Sequence, residues 1–129
     1  MKQNWIVVGS LSGALAVVLG AFGAHALKER LEPDELDVWR TAVQYQALHA
    51  LALLAVGALG ARTGRGAAAG WAFLAGSVLF SGSLYGLALG GPTFLGPITP
   101  LGGLAFVLGW LFFAWAARGA VGRPCEDSE

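Results

Sequence analysis

Nine side chains in this 129-residue chain have the chemistry to act on a ligand or a proton while standing in or beside apolar sequence: His25, Gln44, Tyr45, Gln46, His49, Ser81, Ser83, Tyr85 and Thr99. A histidine in such surroundings can move a proton, ligate a metal or haem, or join two helices through a hydrogen bond. Each role needs company of a different kind. A metal or haem centre at His25 and His49 lacks a third ligand, and the single cysteine, Cys125, stands apart in the polar tail, so no metal or other cofactor is expected. The acid–base pairs of hydrolases and the relays of many proton-coupled transporters need carboxylates, and the segments that carry these nine residues have none. No Ser/His/Asp constellation, phosphate loop or HExxH pattern is present, so the chain is not expected to be an enzyme.

The elements that must hold these residues are four apolar stretches, at about 5–27, 42–61, 67–90 and 98–117, none containing Asp, Glu, Lys or Arg. Each matches the roughly 17 to 25 residues that a helix needs to cross hydrocarbon. Charged residues make up 12% of the chain and the mean hydropathy is +0.64, so no charged face is available to solvate a water-soluble bundle. The expected fold is therefore an all-α membrane protein, a single domain of four transmembrane helices with short loops and a polar tail from 118 to 129. The solvent is lipid, and the zero formal net charge leaves no basic patch for nucleic acid.

With four spans the two ends of the chain share a side. That side carries Lys2, Arg62, Arg65, Arg118 and Arg123, against Lys28, Arg30 and Arg40 opposite, a bias that favours cytoplasmic termini. Lys2, the apolar run and Ala24-His25-Ala26 also resemble a cleavable signal peptide, but the run exceeds the usual length of about 7 to 15 residues and is read as a retained span. Counted at 1.5 Å per residue from outer ends at Leu27, Ala42, Gly90 and Ile98, His25 and Thr99 lie near the outer boundary. The same count puts Tyr45 and Tyr85 about 5 to 8 Å inside, and His49 and Ser81 about 10 to 14 Å inside. The polar residues thus gather in the outer half of the bundle, apart from Ser10, Ser12 and Ser77. His49, the deepest ionisable group, is expected to be neutral and hydrogen-bonded across helices to Tyr85, Ser81 or His25.

Pro33 suits the first position of a helix, and Leu36, Trp39 and Val43 continue from it at helical spacing. Two readings of Pro33 to Arg40 stay open: a short interfacial amphipathic helix with Trp39 as its anchor, or the first two turns of a long second helix. Thr99 and Pro100 are expected to start the fourth helix as N-cap and first residue. Gly9, Gly13 and Gly20 on the first span, and Gly82, Gly86 and Gly90 on the third, stand at multiples of about one helical turn and are expected to let helices approach closely. Packing within the monomer and association with a second copy are both compatible with that spacing.

Four motifs resemble one family. Gly20-Ala21-Phe22-Gly23-Ala24-His25-Ala26-Leu27, then Ala42-Val43-Gln44-Tyr45-Gln46 with His49-Ala50-Leu51, then Phe80-Ser81-Gly82-Ser83-Leu84-Tyr85, and Ile98-Thr99-Pro100-Leu101-Gly102-Gly103 ending in Gly109-Trp110 occur in that order. They are similar to the domain-of-unknown-function 423 family of small membrane proteins, which takes in YgdD-like bacterial proteins and transmembrane protein 256. The resemblance implies a four-helix integral membrane protein, of the bacterial inner membrane, with no established activity and no catalytic residues to carry over. Its motifs fall on His25, Tyr45, Gln46, His49, Ser81, Ser83, Tyr85 and Thr99. Two functional classes are left: an accessory or assembly subunit acting through helix packing on a membrane-protein partner or a second copy, or a binder of a lipid or small molecule in an outer-half polar pocket.

Overall fold

The computed structural model describes residues 2–59 and 64–121. Four helical spans run up and down through the molecule: α1 (Lys2–His25), α2 (Pro33–Ala58), a composite third span of α3 (Gly64–Gly76), a π-helical turn (Ser77–Ser81) and α4 (Gly82–Ala88), and α5 (Leu95–Val121). Each is long and apolar enough to cross a membrane. α1 packs along α2, α3 packs along α5, and α2 joins the two hairpins through α3 and α4. Consequently α2 is the most enclosed helix, while α1 and α5 present broad apolar faces outward.

Of the two readings of Pro33 to Arg40, the structure has the long second helix. The chain is helical without interruption from Pro33, which occupies the first turn where a missing N–H is harmless, and Asp34 and Glu35 face the positive end of the helix dipole. Trp39 is not an interfacial anchor. It is 3% exposed, wedged against Gly23, and its indole N–H donates to the Leu19 carbonyl of α1 at 2.9 Å.

Two expectations about helix ends are corrected. α5 starts at Leu95 rather than at Thr99, because the Pro92-Thr93-Phe94-Leu95 turn already points the chain into the helix through Leu95 N–H donating to Pro92 C=O at 3.2 Å. Pro100 therefore lies inside α5, and Thr99 Oγ1 faces the Leu95 carbonyl, 3.4 Å away, instead of capping. At the other end of this loop Gly90 has φ +83°, with Gly91 N–H donating to Gly86 C=O at 2.8 Å and Gly90 N–H to Leu87 C=O at 3.0 Å. That is the Schellman closure, and it explains the glycine by its left-handed backbone rather than by a packing ridge.

The glycine ridge on the third span is corrected further. A Cβ added at Gly82 meets nothing within 4 Å, and one at Gly86 meets only the flexible tip of Leu95. On α1 the spacing does face a neighbour: Gly9 would press a Cβ to 2.9 Å from the Ala50 carbonyl, Gly13 lies opposite Ala50 and Gly20 opposite Val43. Close contacts that the spacing did not disclose lie at glycines receiving aromatic rings: Gly70 under Trp5, Gly76 under Phe106, Gly109 under Phe73. Gly102 lies against the Phe80 backbone itself, so α5 comes nearest to the third span at the π turn.

Candidate functional site

The core of the molecule is a ladder of polar contacts between helices, set into a stack of aromatic rings. The π turn aims its upper rungs. Inserting one residue into the helical ladder, with Gly82 N–H reaching back to Ser77 C=O, rotates α4 by about 100° relative to α3. Ser81 then donates to the Ala42 carbonyl at 2.8 Å, and Tyr85 Oη donates to Gln46 Oε1 at 2.6 Å. The Gln46 amide continues to the Ser12 carbonyl at 3.0 Å, so one carboxamide ties α4 to α2 and α2 to α1. On the opposite side of α4, Ser83 and Thr99 share a 2.6 Å hydrogen bond. Ser83 also lies 2.9 Å from the Phe80 carbonyl, which suits Ser83 as donor to Phe80 and Thr99 as donor to Ser83.

His49 forms the lowest rung, and its partner is Trp110, not Tyr85, Ser81 or His25. The indole N–H donates to His49 Nε2 at 3.1 Å, while His49 Nδ1 lies 2.7 Å from the Tyr45 carbonyl one turn back. An indole can only donate and a carbonyl can only accept, so the proton sits on Nδ1 and the ring is neutral in this arrangement. The imidazole stacks on Phe106 with ring centroids 3.6 Å apart and planes within 10°, and Phe73 and Trp110 close the other sides. The residue is 2% exposed. Along α2 His49 lies about 24 Å from Pro33, past the midpoint of a helix whose first two turns carry Asp34, Glu35, Asp37 and Arg40.

The nine residues therefore divide. Gln46, His49, Ser81, Ser83, Tyr85 and Thr99 are drawn into interhelical hydrogen bonds. Tyr45 is not: its ring lies on Phe80 at 4.5 Å between centroids, and it is 41% exposed. His25 is an exposed residue closing α1, far along the bundle from His49, and the two histidines are not a ligand pair. Gln44 lies on the outside, lining a groove of about 170 Å³ with Gly20, Ala24, Trp39, Arg40 and Val43. Among the described residues the only buried side-chain polar atom without a partner is Ser77 Oγ, at the start of the π turn.

Reasoning from polar residues alone passes over Trp110 and Trp39, the two indoles that complete the ladder. One signal could have found Trp110. Tryptophan in membrane proteins collects at the interfaces, and an indole deep in a span needs an acceptor for its N–H.

Residues 19–103 match the family model described as Protein of unknown function (DUF423). Among relatives, the chain is 47% identical over 116 residues to UPF0382 membrane protein YwdK of Bacillus subtilis, covering 88% of this chain and 94% of that one. It is 44% identical over 108 residues to a UPF0382 membrane protein of Staphylococcus epidermidis, covering 83% and 88% of the two chains. The corresponding protein of Staphylococcus saprophyticus is 45% identical over 108 residues, covering 83% and 90%. No solved structure matches the chain. Four apolar spans, the motif-bearing ladder between them and relatives named as membrane proteins agree: this chain belongs to the DUF423 family of membrane proteins of unknown function.

Proposed function

We propose that this protein is a non-enzymatic accessory or assembly subunit of the bacterial cell (inner) membrane, with both termini cytoplasmic, acting through the outward faces of its helices. One observation carries the reading. Six of the nine polar side chains that could have served a substrate are committed to one another, to an indole or to helix carbonyls, from Tyr85 and Gln46 through Ser81, Ser83 and Thr99 to His49. A reactive site needs a group left over for its substrate, and this ladder holds helices together instead. What is left to act is the perimeter, above all α1 and α5.

The competing reading, a binder of a lipid or small molecule in an outer-half polar pocket, finds its best support in the Gln44 and Arg40 groove rather than in the ladder. Extraction of the tagged protein from its own membrane in polymer nanodiscs, followed by mass spectrometry of everything retained, separates the two. A protein partner held in fixed stoichiometry, and lost when α1 or α5 lipid-facing positions are changed, is the expected result. A small molecule retained instead, and released by Gln44→Leu with the fold intact, would replace this reading by the other.

A further inference from the structure

A second groove, unrelated to the ladder, lies between α1 and α3 at the end of the bundle that carries both termini. Its volume is about 370 Å³, and it is lined by Asn4, Trp5, Val7 and Val8 from α1 and by Ala67, Trp71 and Leu74 from α3. At this level α1 meets α3 where Trp5 seats on Gly70 and packs edge to face against Trp71 at 5.2 Å. We propose that this groove holds one acyl chain of an anionic glycerophospholipid from the leaflet on the side of the termini, with the headgroup met at Asn4.

Three observations select that occupant. The first is shape. From Ala67 to Leu74 the groove runs about 10 Å between α1 and α3, a narrow apolar path that a linear hydrocarbon segment can follow. The second is polarity, because Asn4 supplies the one carboxamide at the mouth and the walls beyond it are aliphatic and indole, the gradient of a lipid from head to tail. The level is independently marked by Arg65, whose guanidinium lies 4.0 Å over the Trp115 ring, an arrangement that belongs at the headgroup boundary.

The third is charge. Lys2 stands two residues before Asn4, and Arg65 two residues before Ala67, with Arg62 just upstream. Between Val38 and Pro124 the chain has no Asp or Glu, and between Met1 and Lys28 it has none either. Both walls thus enter the membrane from cationic sequence, which attracts an anionic headgroup near the surface.

The test uses the full chain in phosphatidylcholine vesicles doped with phosphatidylglycerol that bears a diazirine on its acyl chain. After irradiation, peptide mass spectrometry should find Val8, Trp71 and Leu74 labelled roughly ten-fold above the lipid-facing Leu104 and Val107 of α5, one decade of relative affinity. Moving the diazirine to phosphatidylcholine should remove most of that enrichment, and Ala67→Phe, which fills the groove from a partly open position, should abolish it. Should Ala67→Phe fail to fold, Asn4→Ala at its exposed site should still lower the enrichment. Even labelling of all lipid-facing positions, enrichment indifferent to headgroup, or enrichment that survives both substitutions would overturn the proposal. The accessory role is read separately, by retention of a protein partner in fixed stoichiometry, so loss of headgroup-selective labelling and loss of that partner are distinguishable results.

Discussion

At the scale of single residues, His49 shows how a polar group becomes tolerable deep in a bundle. Its two nitrogens have opposite needs, and the fold meets both, with a carbonyl on its own helix and an indole from α5. Interhelical hydrogen bonds in membranes average about 0.6 kcal/mol and rarely exceed about 1.7 kcal/mol, so the bond to Trp110 is a modest stabiliser and the aromatic stack around it contributes alongside. His49→Phe retains a ring on Phe106 and removes the acceptor, and Trp110→Phe removes the donor. In a double-mutant cycle read by unfolding in mixed micelles, a coupling of about 0.5 to 1.5 kcal/mol is expected. Strictly additive losses would mean that the two side chains do not share a bond in lipid.

Elements decide which residues can meet, and here the π turn is the deciding element. Without its extra residue, α4 would present different side chains to α2 and α5. Deleting Val78, which is exposed on the turn, should restore α-helical register and swing Ser83 and Tyr85 by about 100° away from Thr99 and Gln46. The expected result is a folded but clearly destabilised bundle, by roughly 1 to 3 kcal/mol, with the Tyr85 to Gln46 coupling gone. A variant as stable as the parent with that coupling intact would show that the turn does not aim α4. Helix contact is equally selective among glycines. Gly102→Leu should be severely destabilising, because its side chain would have to displace the Phe80 backbone, whereas Gly82→Leu should leave stability within about 0.5 kcal/mol. Equal effects at the two positions would contradict the packing described here.

For the molecule as a whole, the even number of spans places the termini together, and the proposed cytoplasmic side for them rests on the Lys/Arg bias. Labelling of intact cells with an impermeant maleimide should modify Asp34→Cys and Thr93→Cys but spare the native Cys125, which lies outside the described residues. The reverse pattern would invert the protein and place the α1 and α3 groove in the outer leaflet. Stability should follow the interior more than the perimeter. The buried cluster of Trp5, Leu53, Phe73 and Phe106 is continuous through all four spans, while the outward faces of α1 and α5 are largely free of internal contacts.

The number of spans, their limits to within a few residues except at the start of the second, which begins at Pro33 rather than 42, and the membrane as solvent were legible in the chain, as was a set of polar residues of which six do join helices. The reason is local: whether a segment enters lipid depends on its own side chains, and four uncharged runs of sufficient length leave no alternative. Partner identity is not local. It depends on how each helix is rotated about its axis, and that rotation is set by aromatic rings finding glycine notches on other helices, Trp39 at Gly23, Trp5 at Gly70, Phe106 at Gly76 and Phe73 at Gly109. A regular spacing of glycines therefore misled at Gly82 and Gly90, where one faces outward and the other turns the chain, and the π turn had no signature in residue types at all. His49 meets Trp110 rather than Tyr85 because α4 is rotated by one inserted residue and α5 begins at Leu95. Only the assembled bundle, in which all four rotations are settled together, could decide it.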